Sequence, residues 1–74
     1  MNQKKQIDKI KTGLNLYRLI ESSKKTREEI AEYLGLQSPR VIYDWTRGAK
    51  MPSLENLYNL SILFHVAMED ILAV

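Results

Sequence analysis

The sequence contains no cysteine. No disulfide can brace it, and no thiolate can ligate a metal or attack a substrate. Two prolines and three glycines in 74 residues leave most of the chain free to be helical. No apolar run approaches the roughly 18 residues of a membrane span. The start, MNQKKQIDKIK, is lysine-rich and lacks the apolar centre of a signal peptide. There is one histidine, His65, and no glycine-rich phosphate loop. A lone imidazole with no nucleophile near it in the chain reads as a structural residue. These absences predict a soluble, cytoplasmic protein without a catalytic residue, a metal or a cofactor.

The length allows one domain with one small core, near the lower limit for folding without staples. The 45% hydrophobic content is enough to build it. Charge is unevenly spread. Residues 1–27 carry eight Lys or Arg against two acids, whereas residues 51–74 carry three acids and no base. A basic first third suits a polyanionic partner, and it equally describes a solvated lysine tail.

Apolar spacing predicts five short helices. GLNLYRLIESS carries Leu14, Leu16, Tyr17, Leu19 and Ile20 on a broad face, and Ile7 and Ile10 either extend it or pack as a preceding arm. The polar stretch SSKKT breaks the pattern. In TREE, Thr26 and Glu29 form a capping box that starts a second helix over residues 27–34, ended by Gly35. A third helix over about 39–47 follows after roughly four residues, within SPRVIYDWTRG. Ser38 is its expected cap, Pro39 suits its first turn, and Gly48 ends it. So short a gap suits a sharp corner between two helices, the helix-turn-helix unit. Ala31 is expected to let the third helix cross close, and Leu36 to plug the corner. Ser53 caps a fourth helix, LENLYNLSILF, whose apolar residues place it at the centre. A last short helix begins near Met68, with Ala67 in the cap position.

Val41, Ile42 and Trp45 lie three and four residues apart, so they predict a core stripe. Tyr17 and Tyr33 are expected in or beside the core, and Tyr58 there or at an edge. Arg40, Tyr43, Asp44 and Arg47 must then point outward. Glu28, Glu29 and Glu32 are explained by capping and solvation, and no EF-hand pattern includes them.

The three pieces TREEIAEYLGL, VIYDWTRG and MPSLENLYNLSILFHVAMEDIL, in this order and spacing, resemble the Cro/C1-type, or XRE, helix-turn-helix domain. The resemblance covers roughly residues 12–72. It implies an all-α, lambda-repressor-like bundle of five short helices over residues 12–74, preceded by a basic arm over residues 1–11. It also implies a function: sequence-specific binding of double-stranded DNA, as a repressor, with the third helix in the major groove. By position, Ser38, Pro39, Arg40, Tyr43 and Asp44 are the base-contact candidates, with Asp44 also placed to orient Arg40. Lys24, Lys25, Thr26, Arg27, Arg47 and Lys50 are the phosphate candidates. Lys4, Lys5, Lys9 and Lys11 form an arm along the DNA backbone or a solvated tail. A homodimer is implied at least on DNA, with Ile71, Leu72 or Val74 as a small contact. The alternative is an antitoxin or protein-binding helical module acting mainly through a partner protein. The sequence departs from the family pattern in a turn one residue longer, through QSP, and in Asp44, where a neutral or basic residue is more usual.

Overall fold

The computed structural model describes residues 3–74; residues 1 and 2 of the expected arm lie outside the described residues. It contains five helices, α1 (Lys9–Ser23), α2 (Arg27–Leu34), α3 (Arg40–Thr46), α4 (Leu54–Phe64) and α5 (Met68–Ile71), and no strand among the described residues. The all-α bundle expected from the spacing is the fold observed.

Helix α1 starts four residues before Gly13. The Asp8 carboxylate caps it, accepting from the amides of Ile10 (3.0 Å) and Lys11 (2.9 Å). Lys9, Ile10 and Lys11, read above as part of the arm, are therefore helical. Leu16 and Ile20 face inward, while Leu14 and Tyr17 are exposed. Thr12 and Gly13 are both buried. The Thr12 hydroxyl accepts from the amide of Ala73 at 3.0 Å, and the Asp8 amide donates to the Ala73 carbonyl at 2.8 Å. With Asn15 Nδ2 donating to the Ile71 carbonyl at 3.0 Å, the last residues are tied along the first turns of α1. The helix ends at Lys24, which adopts φ 62°, a left-handed conformation that a residue with a Cβ enters at some cost.

Helix α2 has the expected bounds. Thr26 Oγ1 accepts from the Glu29 amide (3.0 Å), and Glu29 Oε1 accepts from the Thr26 amide (2.8 Å). Gly35, at φ 73°, stops it, and the following amides return to Glu32 and Ala31. Ile30 and Ala31 are buried, and Leu36 packs against the core at the corner.

Helix α3 begins at Arg40, with Pro39 rather than Ser38 in the cap position. The proline ring already holds Pro39 in a helical turn, so Ser38 acts one residue early, its Oγ accepting from the Arg40 amide at 3.3 Å. Ile42 and Trp45 are buried and Val41 partly so. The close crossing expected at Ala31 occurs elsewhere. Helix α3 packs chiefly on α1, and the residue that admits it is Gly13. A Cβ there would run into the Trp45 carbonyl oxygen and lie 2.9 Å from that of Thr46.

Two expectations fail further along. Helix α4 buries Leu57, Leu60 and Ser61 but exposes Leu54, Tyr58 and Ile62, each four residues from the next. It puts one face into the core through Leu57 and Leu60 and leaves the other exposed, instead of being surrounded on all sides as the centre of the bundle. Ile71 is fully buried, so it is a core residue of the domain and not a contact offered to a second copy. Tyr17 and Tyr33, expected in or beside the core, are about half exposed. The sequence readings at the remaining caps hold. Ser53 Oγ accepts from the Asn56 amide at 3.1 Å. Ala67 makes no side-chain cap, and Asp70 compensates by accepting from the Ala67 amide at 3.0 Å. No helix among the described residues is long and apolar enough to cross a membrane.

Candidate nucleic-acid interface

Burying Ile42 and Trp45 fixes which face of α3 turns outward. That face carries Arg40 and Tyr43, both exposed. Ser38, Pro39, Arg40 and Tyr43 together line one shallow concavity at the start of α3. Four of the five base-contact candidates are thus gathered on one surface. Among the described residues the Arg40 guanidinium enters no ion pair, so its five donors face solvent.

Asp44 behaves differently. Its side chain is largely covered, and its carboxylate pairs with Arg47 and, at 3.8 Å, with the Lys50 ammonium. The partner expected from the sequence was Arg40. The chain reverses after Gly48, where the amides of Ala49 (2.9 Å) and Lys50 (3.3 Å) return to the Asp44 carbonyl. That reversal carries Lys50 back over Asp44, while Arg47 reaches it from three residues on, one helical turn along. Arg47 and Lys50 remain mostly exposed and stand just beyond the end of α3.

Lys24, Lys25 and Thr26 are exposed on the turn into α2. Lys25 is held there by its amide, which donates to Ser23 Oγ at 3.1 Å. The Thr26 amide, then the Thr26 hydroxyl and nearby Lys25, hold the Glu29 carboxyl below the ordinary carboxylate range. The capping box therefore stays ionised at neutral pH. It occupies the Thr26 and Glu29 amides. The amides of Arg27 and Glu28 have no intramolecular acceptor among the described residues, and they point out of the helix N-terminus, where anions are favoured.

Arg27 is not a free surface cation. Only 17% of its side chain is exposed, and it pairs with Glu21 at 3.6 Å. Its guanidinium carbon lies 4.9 Å from the Tyr43 ring centre and 6.0 Å from that of Tyr17, both within cation–π reach. Its Nε has no hydrogen-bond partner. Sequence reasoning missed this cluster, because its four members come from three helices and only Tyr17 and Glu21, four apart on α1, are linked by spacing along the chain. No group of three or more His, Cys, Asp or Glu is placed to hold a metal ion among the described residues.

A family model for helix-turn-helix domains matches residues 16–71. Among solved structures, the chain is similar to an SOS-response transcriptional repressor, LexA, from Eubacterium rectale, at 29% identity and a TM-score of 0.81, over 89% of this chain and 69% of that one. It is also similar to the restriction-modification controller protein C.AhdI from Aeromonas hydrophila, at 23% identity and a TM-score of 0.75, over 86% of this chain and 96% of that one. A third likeness is to a chain described as CoII HppE in complex with substrate, at 16% identity and a TM-score of 0.77, where 89% of this chain covers 36% of the other. The last two are likenesses of fold alone, and the third puts this fold inside a longer protein of a different description. No curated protein matches the chain significantly.

Proposed function

This chain belongs to the Cro/C1-type helix-turn-helix family, and on that premise we propose that it binds double-stranded DNA sequence-specifically as a cytoplasmic transcriptional repressor. The observation that carries the reading is the concave outward surface of Ser38, Pro39, Arg40 and Tyr43 on a helix anchored in the core by Ile42 and Trp45. A helix held in this way presents its first turns to base edges in the major groove. The unpaired Arg40 guanidinium suits O6 and N7 of guanine. Tyr43 offers a ring face to a thymine methyl group, and Asp44 an acceptor to a cytosine amino group.

Phosphates are met from two sides. Lys24, Lys25 and Thr26, exposed on the turn into α2, with the open amides at the start of that helix, flank one end of the reading surface; Arg27, the remaining candidate there, is largely covered. Arg47 and Lys50 flank the other, kept beside α3 by Asp44. Lys4 and Lys5, before α1, and Lys9 and Lys11, in its first turn, supply further cations. Two half-sites would be served by a homodimer on DNA, with Leu72, Val74 and the exposed stripe of α4 as its available apolar surface. That stripe, Leu54, Tyr58 and Ile62, also favours a second reading, in which the domain acts mainly through a partner protein, as an antitoxin does.

Affinity for DNA is expected to fall steeply as salt is added, because bound counterions are released. Lys25→Ala should weaken binding to every duplex alike and flatten the slope of log affinity against log salt by up to about one unit. Fluorescence anisotropy titrations at four or more salt concentrations measure both. Salt-independent binding, or none to any duplex, would transfer the protein to the partner-protein reading.

Arg40→Ala should leave the fold intact, since the residue is exposed. It should cost about 1–3 kcal/mol on the preferred site and relax choice at one base pair per half-site. A competition between preferred and scrambled duplexes, with circular dichroism as the folding check, reads this directly. Equal losses on both duplexes would reduce Arg40 to a phosphate contact.

A further inference from the structure

Tyr43 is half exposed. A tyrosine on a seven-residue helix normally samples several rotamers, and ordering it on a ligand then consumes binding free energy. Here its ring already has a partner. The Arg27 guanidinium, from the first turn of α2, lies over it at 4.9 Å. Arg27 is itself held from α1, by Glu21 at 3.6 Å and by the Tyr17 ring at 6.0 Å. Three helices thus meet on one cation, and that cation touches the reading surface.

We propose that Arg27 is a positioning residue for DNA recognition: it clamps the Tyr43 ring in the orientation that meets the bases, so selectivity at one base pair depends on a residue that does not touch that pair. The inference rests on the DNA-binding reading and assigns Arg27 a different task from the phosphate contact its position implies. A phosphate contact needs an accessible cation. Arg27 is largely covered, already paired with an acid, and spread against aromatic rings. A planar guanidinium can lie on a ring while its edge pairs with a carboxylate, which a lysine ammonium cannot do in the same way.

The decisive substitution is therefore Arg27→Lys, which keeps the charge and loses the flat face. Binding to a panel of duplexes, each altered at one base pair of the preferred site, is measured for the wild type, Arg27→Lys, Tyr43→Ala and the double variant at several salt concentrations. The Hα–Hβ couplings of Tyr43 are measured by NMR in the free proteins, and circular dichroism establishes that each is folded. Arg27→Lys should keep the salt slope. It should lose about five- to ten-fold in discrimination, confined to the base pair at which Tyr43→Ala also loses it. The double variant should be no worse there than Tyr43→Ala alone. The Tyr43 couplings should report one rotamer in the wild type and averaging in Arg27→Lys. Full discrimination by Arg27→Lys, or a uniform loss on all duplexes, would overturn the clamp while leaving DNA binding in place. A wild type that prefers no duplex would overturn the DNA reading, and the clamp with it.

Discussion

Truncating Trp45 to alanine is expected to abolish the folded domain at physiological temperature. The indole is 3% exposed and packs in one core with Leu16, Ile20, Ile30 and Ile42. Removing so large a buried side chain costs about 3–5 kcal/mol, part lost transfer free energy and part cavity. A domain of this size has a total stability near the low end of about 5–15 kcal/mol, and no disulfide holds the remainder together. The midpoint of thermal unfolding should drop by roughly 15–30 °C. In the wild type, Trp45 fluorescence should be blue-shifted and should not move when DNA binds, because the indole faces α1 and not the groove. A Trp45→Ala protein that melts like the wild type and loses only DNA affinity would put the indole on the opposite face of α3.

Gly13→Ala should be the next most damaging change, against ordinary expectation. Replacing a glycine inside a helix by alanine usually stabilises it by about 0.5–1 kcal/mol. At Gly13 the added methyl would meet the Trp45 carbonyl oxygen, lie 2.9 Å from that of Thr46 and 3.1 Å from the Gly48 amide. All three are backbone atoms, which cannot rotate away as a side-chain tip can. Either α3 is pushed off α1 or the clash is borne, at about 1–3 kcal/mol of overpacking or more. A thermal melt of Gly13→Ala should show a loss of about 5–20 °C, and DNA affinity should fall even where the protein remains folded, because the displaced element is α3, the helix proposed to read the bases. An unchanged or raised midpoint would mean that α3 does not approach α1 this closely.

The two substitutions mark where sequence reasoning reaches and where it stops. Caps and stops were legible, because Thr26, Glu29, Gly35, Gly48 and Ser53 act on backbone within a few residues of themselves. The inward set of α3 was legible for the same reason, as periodicity is local. Gly13 stood only as the first residue of the expected helix GLNLYRLIESS, although its task is to admit a helix some thirty positions later. Spacing put Tyr17 and Tyr33 in or beside the core, and it offered Arg40 as one partner for Asp44; Arg47, also within helical reach, and Lys50, brought back by the chain reversal, hold that carboxylate instead. The reading surface emerged from the sequence as separate positions. Its assembly, and the engagement of Arg27 with Tyr43, depend on how α1, α2 and α3 come together.

The hydrogen bonds between Asp8 and Ala73 and between Ala73 and Thr12 make the described chain nearly a closed ring. Ring closure is kinetically distinctive. The entropy of bringing the ends of so long a loop together grows only logarithmically with its length, at about 0.6 kcal/mol per doubling, but the contact forms late because it waits on everything between. The ring closes on the turn of α1 that precedes Gly13, the seat of α3. The seam between residues 8 and 73 and the seat of α3 thus share neighbouring turns of one helix, and a substitution that opens the seam, such as Thr12→Val, is expected to raise amide exchange in α3 as well.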